Sequence, residues 1–160
     1  MLRQLLVTLL VLSSCGIARS SPLPSPLPDG YYYQLCQKPK DLTLVEWFEQ
    51  LEPPQPWMID DWDCSQVSAW TEWLAENCGY HTLIAFRYST DQRDGHAWLL
   101  VDIDDEWRAY EATLGLWFDY REYNMDGAHE SPADTYWGSA PAFYKSWGWW
   151  ISHPELVKGG

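Results

Sequence analysis

One cysteine, one histidine and one glutamate follow each other along the chain in contexts that suit acyl-transfer chemistry. Cys64 stands in an Asp-Cys-Ser triplet, His96 in Gly-His-Ala-Trp, and Glu111 just before an Ala-Thr pair. A cysteine nucleophile needs a base that holds it as thiolate, and the base needs a third group that orients it. The order of thiol, imidazole and carboxylate therefore predicts a catalytic triad of Cys64, His96 and Glu111.

The nucleophile is expected to open an α-helix that spans residues 64–77. The apolar residues at helical spacing are Val67, Trp70 and Leu74, Asp61 or Asp63 can cap the start, and Gly79 fits just past the end. Cys64 would lie in the first turn, where unpaired backbone N–H groups and the positive end of the helix dipole stabilise a thiolate. A shorter helix is predicted over residues 42–51, ahead of Pro53 and Pro54.

The base and the acid are expected on neighbouring strands. An antiparallel meander is predicted from three segments that are rich in apolar and aromatic side chains, namely residues 82–88, 96–103 and 106–113. A two-residue turn at Asp104 and Asp105 would make His96 and Glu111 diagonal neighbours on one face, whereas a three-residue loop would turn Glu111 away. The predicted fold class is α+β, with the nucleophile helix packed on an antiparallel β-sheet.

These motifs together resemble the transglutaminase-like superfamily of papain-like cysteine enzymes, over about residues 41–115. The resemblance implies a papain-like fold with Cys64 as nucleophile, His96 as base and the third residue on the next strand. That family usually has aspartate in the third position, whereas this chain has Glu111. A weaker resemblance is to papain-like cell-wall endopeptidases, which also place Asp-Cys-Ser at a helix start but usually lack His-Ala-Trp.

The chemistry expected from this triad is acyl transfer through a thioester on Cys64. If water accepts the acyl group, the enzyme is a peptidase or amidase. If an amine accepts it, the enzyme is a transglutaminase-like cross-linking enzyme. The backbone N–H of Cys64 is one oxyanion donor, and the indole of Trp57 or Trp62 is a candidate for the second. Trp98, which shares a face with His96, is a further candidate for the substrate groove. The alternative for Trp57 and Trp62 is burial under the first helix.

The cysteine count favours a free Cys64. Apart from Cys15, the chain has three cysteines, so one is left without a partner within the chain. Cys64 and Cys78 would stand at opposite ends of one helix, about 21 Å apart, which is too far for a disulfide. The favoured disulfide is Cys36 with Cys78. The alternative is a Cys64 that is buried or bonded for structural reasons.

The first residues predict export from the cytoplasm. Residues 1–14 have one positive charge and a short apolar run, as in a secretory signal peptide. The Leu-Ser-Ser-Cys run that ends at Cys15 resembles the lipobox of bacterial lipoproteins, which implies a lipidated Cys15 and a membrane anchor. The alternative is ordinary cleavage through Ala18 and a secreted protein. Residues 15–40 would form the anchor and a Pro-rich linker, and residues 41–160 the transglutaminase-like domain.

The composition excludes some partners. The chain has 10 Lys and Arg against 23 Asp and Glu, and so acidic a surface repels nucleic acid. The four histidines and the acidic clusters lack the spacing of a metal site, so we expect no metal and no cofactor. We expect a monomer that acts on a peptide or protein substrate and contacts the membrane through its lipid.

A second hypothesis from another class is a binding module. A transglutaminase-like domain without turnover could hold a peptide or a cell-envelope glycan in an aromatic groove. Glu111 in place of aspartate and the 12 tryptophans support it, although core packing explains most tryptophans. Beyond about Leu116 no element is predicted, and the aromatic residues there are candidates for either the groove or the core, namely Tyr120, Tyr136, Trp137 and Trp147.

Overall fold

In the part of the chain that the structure describes, the fold is α+β with an antiparallel sheet. The structure is a computed structural model, and it describes residues 27–59, 61–88, 95–122, 124–134 and 147–157. The helices are α1 (Leu44–Glu49), α2 (Cys64–Glu76) and α3 (Pro154–Val157), and the strands are β1 (Thr82–Tyr88), β2 (Gly95–Ile103), β3 (Glu106–Glu111), β4 (Leu116–Asp119) and β5 (Gly127–His129). None of the described helices has the length and hydrophobicity to cross a bilayer. The predicted signal segment, Cys15, Tyr136 and Trp137 lie outside the described residues.

The five strands form one sheet in the order β4-β3-β2-β1-β5. All neighbouring pairs are antiparallel. The β2–β3 hairpin turns on Asp104 and Asp105, which have φ values of 56° and 64°. Left-handed backbone at both central residues is the geometry of the two-residue turn that matches the twist of a hairpin. Ile103 pairs with Glu106, so the predicted register of this hairpin is confirmed.

Helix α2 begins at Cys64 because Asp63 caps it. The Asp63 carboxylate accepts a hydrogen bond from the Ser65 N–H at 2.9 Å, and the Gln66 side chain accepts one from the Asp63 N–H at 3.2 Å. This reciprocal arrangement satisfies backbone donors that the first turn otherwise leaves unpaired. Past the end of the helix, Gly79 has a φ of 80°, which a residue with a side chain rarely adopts.

Helix α2 lies at the centre of the molecule. Its residues from Ser65 to Ala75 are all buried. One side packs on the inner face of the sheet, and another packs on Tyr31 and Trp149. The Trp73 indole donates to the Tyr31 carbonyl at 2.6 Å, and the Trp149 indole donates to the Tyr31 hydroxyl at 2.8 Å. The helix that carries Cys64 is therefore held from two sides.

A second apolar layer covers the outer face of the sheet. It contains Ala85, Trp98, Leu100 and Ala109, with Trp107, Phe118 and Tyr120 packed against it. Trp147 is buried in the main core with α2. Trp147 thus belongs to the core, which corrects its candidacy for the groove, whereas the half-buried Tyr120 also lines a cavity formed by β3, β4 and the residues after β4.

A disulfide fixes the segment ahead of α1 to the end of α2. Cys36 and Cys78 are bonded, with a sequence separation of 42 residues, and Cys64 is a free thiol. This is the pair that the spacing of the cysteines favours. A closed loop of this length stabilises the folded state by about 4 kcal/mol in the chain-entropy account.

Candidate active site

The structure brings together the three residues of the predicted triad. Cys64 opens α2, His96 is the second residue of β2, and Glu111 is the last residue of β3. Nε2 of His96 contacts a carboxylate oxygen of Glu111. The His96 ring also makes a hydrogen bond with the Cys64 side chain. Because Nε2 is engaged by Glu111, Nδ1 is the ring nitrogen available to the sulfur.

The Glu111 carboxylate is held on its other oxygen by Thr113. The Thr113 hydroxyl donates to Oε1 at 2.6 Å, and the Thr113 N–H donates to the same atom at 3.2 Å. The Glu111 side chain is only 3% exposed, against 31% for His96. Both oxygens of the buried carboxylate therefore have donors, which offsets the cost of removing its charge from water. The role of Thr113 was not predicted, although the Glu-Ala-Thr spacing is its sequence signal.

The triad perturbs the acid–base behaviour of two of its members. The neighbouring Cys64 sulfur and the Glu111 carboxylate raise the pKa of His96 to about 9, against the opposing effect of burial. Burial by itself would raise the pKa of Glu111, but the hydrogen bonds from His96 and Thr113 lower it below its ordinary value. At neutral pH the acid is thus a carboxylate and the imidazole is protonated. A protonated imidazole next to a cysteine favours the thiolate.

Trp98 supports the histidine and does not line a groove. Its side chain is fully buried in the outer apolar layer. The rings of His96 and Trp98 stack with centroids 5.6 Å apart and planes 27° from parallel. The expectation that Trp98 is a substrate-groove residue is therefore corrected: its indole limits the orientations of the imidazole from behind.

The two other tryptophan candidates differ in exposure. Trp57 is 59% exposed, whereas Trp62 is fully buried. Two backbone hydrogen bonds fix their segment. The Met58 N–H donates to the Trp62 carbonyl at 3.0 Å, and the Trp62 N–H donates to the Met58 carbonyl at 2.8 Å. Among the described residues, the Trp62 indole N–H has no hydrogen-bond partner. The role of either indole as an oxyanion donor stays a prediction.

A cavity of about 380 Å³ is lined by residues that flank Cys64 and Glu111 in the sequence. Its lining comes from the segment before Cys64, from the first turns of α2 and from the residues after Glu111, namely Pro53, Pro54, Gln55, Pro56, Trp57, Trp62, Val67, Ala112 and Thr113. None of these residues is charged. The side-chain N–H group of Gln55 is buried and has no hydrogen-bond partner within the described residues. Gln55 was not predicted, and the run of prolines around it gave no functional signal.

Nowhere in the described ranges do three or more His, Cys, Asp or Glu side chains come close enough to hold a metal ion. The expectation that the protein needs no cofactor remains a prediction.

Comparison of the chain with protein-family models, with curated proteins and with solved structures gives no match in any of the three. The resemblance to transglutaminase-like enzymes consequently rests on the three motifs and stays a prediction.

Proposed function

We propose that the protein is an extracytoplasmic, cysteine-dependent acyl-transfer enzyme that acts on peptide or protein amides through a thioester on Cys64. The observation that carries the proposal is the continuous row of contacts from Cys64 through His96 to Glu111. Each of these residues alone has an ordinary structural explanation. A free thiol, an imidazole and a buried carboxylate in this order are what nucleophilic catalysis by cysteine requires.

The finer fold assignment is part of the same proposal. A nucleophile at the start of a buried helix, with base and acid on adjacent antiparallel strands, supports a papain-like, transglutaminase-like arrangement. The disulfide between Cys36 and Cys78 supports an oxidising compartment. The lipid anchor at Cys15 and the resulting membrane attachment belong to the proposal as well.

In the first half of the reaction, the Cys64 sulfur attacks the amide carbonyl carbon and a C–S bond forms. His96 gives its proton to the nitrogen of the leaving amine, and the C–N bond breaks. Glu111 favours the imidazolium before this transfer and keeps the ring oriented throughout. The product of this half is a thioester on Cys64 and a free amine.

In the second half, water or an amine attacks the thioester carbonyl. The attacking group loses its proton to His96, the C–S bond breaks, and the thiolate of Cys64 is restored. The negative charge on the carbonyl oxygen needs donors in both halves. The Cys64 N–H lies in the first turn of α2, where backbone donors have no partner within the helix, and the Trp62 indole is the second candidate.

The proposal is tested by acylation with p-nitrophenyl acetate. We expect a burst of nitrophenolate, acetylation of Cys64 in the mass spectrum, and a rate at least about a hundredfold above that of glutathione at pH 7. Cys64→Ala should abolish the burst, and peptide binding by this variant would measure any affinity that does not need the thiol. Acetylation of Cys64 no faster than that of glutathione would contradict an enzyme and favour the binding module.

A further inference from the structure

We infer that the cavity beside Trp57 binds a large apolar side chain on the amine half of the reaction. The amine half is the part of the substrate that contributes the amine nitrogen. This nitrogen leaves when the thioester forms, or it attacks the thioester in the second half of the reaction. This inference rests on the proposed function and adds its substrate class: an amine component of the amino-acid amide type with an aromatic or large aliphatic side chain.

The position of the cavity assigns it to the amine half. His96 must protonate the leaving amine and deprotonate the incoming acceptor, so the amine lies on the histidine side of the sulfur. The cavity is lined by Ala112 and Thr113, which directly follow Glu111. Thr113 in turn holds the carboxylate that contacts His96. Val67 also lines the cavity, and it lies one helical turn after Cys64, on the same side of the helix as the nucleophile.

The lining selects an uncharged, apolar side chain. The chain as a whole has a formal net charge of −13, yet no lining residue of this cavity is charged. A lysine side chain would lose its hydration there without gaining a carboxylate partner. The volume of about 380 Å³ is enough for an aromatic side chain.

The walls of the cavity are already fixed in the free protein. Three prolines, at positions 53, 54 and 56, restrict the backbone of one wall. The Tyr110 hydroxyl donates to the Phe48 carbonyl at 2.7 Å, which ties the chain ahead of these prolines to β3. The backbone hydrogen bonds between Met58 and Trp62 fix the other end. A fixed wall lowers the entropy lost on binding.

Gln55 supplies the polar contact that such a site needs. Gln55 is one of the lining residues, and its side-chain N–H group is buried without a partner among the described residues. A buried donor without a partner costs about 1–3 kcal/mol, so a ligand acceptor there is favourable. The carbonyl of an amino-acid amide is an acceptor next to the amine nitrogen. Gln55 would therefore distinguish an amino-acid amide from a plain alkyl amine.

The test separates the amine half from the acyl half by using one acyl-enzyme. Cys64 is acetylated with p-nitrophenyl acetate, and glycinamide, leucinamide, lysinamide and phenylalaninamide then compete with water for the acetyl group. The amine nitrogen forms the new C–N bond, the C–S bond breaks, and the amine proton passes to His96. We expect the ratio of aminolysis to hydrolysis to be at least about tenfold higher for phenylalaninamide than for glycinamide, and lysinamide to resemble glycinamide.

Variants locate this preference. Trp57→Ala should bring the ratio between phenylalaninamide and glycinamide below about threefold. Tyr33→Ala is the matched control, since Tyr33 is 91% exposed and does not line the cavity, and it should leave the ratio unchanged. Gln55→Glu replaces the donor by an acceptor of similar shape and should remove the preference for phenylalaninamide over phenethylamine.

The outcomes distinguish the two proposals. Rapid acetylation of Cys64 would support the proposed enzyme. If all four amides then give the same ratio of aminolysis to hydrolysis, or if the preference for phenylalaninamide survives Trp57→Ala, the cavity does not bind the amine half. If lysinamide is preferred, the apolar assignment is wrong. If no acetylated Cys64 forms faster than for a free thiol, the proposed function fails, and the inference about the cavity fails with it.

Discussion

Glu111 contacts Nε2 of His96 from the last position of β3. The other oxygen of the same carboxylate accepts both the hydroxyl and the backbone N–H of Thr113. In the proposed triad, a glutamate therefore occupies the position where the transglutaminase-like enzymes that the three motifs resemble usually have aspartate. The extra methylene is accommodated because the turn after β3 places Thr113 next to the carboxylate, so that the longer side chain is held at its end.

Removing the charge of Glu111 should slow acylation. Glu111→Gln keeps the size of the side chain but withdraws the carboxylate that helps to raise the pKa of His96 to about 9. We expect the burst rate with p-nitrophenyl acetate to fall by about a hundredfold or more. Glu111→Asp is the control, because it keeps the charge and shortens the reach, and it should retain more activity than Glu111→Gln. Equal rates for Glu111→Gln and the unaltered protein would remove Glu111 from the triad.

Thr113 should act through Glu111. Thr113→Val keeps the shape of the side chain and removes the hydroxyl that donates to Oε1 at 2.6 Å. A hydrogen bond to a charged group contributes about 1.5–3 kcal/mol, so we expect at least about a tenfold loss in acylation rate and a higher titration midpoint of Glu111, whose pKa this hydrogen bond lowers. Thr113→Ser should restore both. Titration of the Glu111 carboxyl followed by NMR separates this role from simple loss of stability, which would not move the midpoint.

The ion pair should make stability depend on pH in a defined direction. The folded-state pKa of His96 is raised from 6.5 to about 9, so its contribution is fully present below about pH 6.5 and is lost as the pH rises through about 9. The pKa of Glu111 is lowered from 4.5, so its contribution is lost as the pH falls below that value. The pair should stabilise the fold most between these limits.

The measurement is urea unfolding of the unaltered protein and of His96→Gln at about pH 5.5, 7.5 and 9.5. The difference in unfolding free energy between the two proteins should be largest at the lowest of these pH values and smallest at the highest. A difference that is constant across the range would show that the histidine is not held in its protonated form by the site.

A second buried carboxylate should have the opposite effect on stability. Glu72 on α2 is fully buried, and its pKa is raised well above 4.5 by this burial. One oxygen accepts the Tyr32 hydroxyl, and the other has no partner among the described residues. Because the folded pKa is raised, folding is opposed increasingly as the pH rises above about 4.5.

Glu72→Gln should therefore gain in relative stability as the pH rises. The amide cannot ionise, and its oxygen can still accept from Tyr32. Thermal unfolding of both proteins at about pH 5 and pH 8 should show a difference in Tm that shifts in favour of the variant at the higher pH. If that difference is the same at both pH values, Glu72 does not change its protonation on folding.

Local signals were sufficient to predict the elements that carry the triad. The start of α2 is predicted by Asp63, which stands next to a helical apolar pattern. The hairpin register is predicted by the polar pair Asp104 and Asp105, which separates two apolar runs. From that register the contact between His96 and Glu111 could be predicted by counting along two strands.

Long-range packing could not be predicted in the same way. Strand β5 has only three residues, and it fits because Gly127 has no side chain: a Cβ there would lie 2.8 Å from the Phe86 ring. Nothing near Gly127 in the sequence indicates Phe86. Trp98 was assigned to a groove because it shares a face with His96, but the outer layer that buries it includes Phe118 and Tyr120, where no element was predicted.

The most direct test of the central claim is the rate at which iodoacetamide labels Cys64 as a function of pH, with glutathione as the reference and the labelled site mapped by mass spectrometry. We predict that Cys64 alone is labelled rapidly, and that its rate stays above that of glutathione from about pH 6 to pH 8 because the raised pKa of His96 keeps an imidazolium beside the sulfur. His96→Ala should remove this advantage over glutathione. A Cys64 that is protected, or whose labelling rises with pH like a free thiol with its midpoint near ~8.5, would contradict the activated nucleophile.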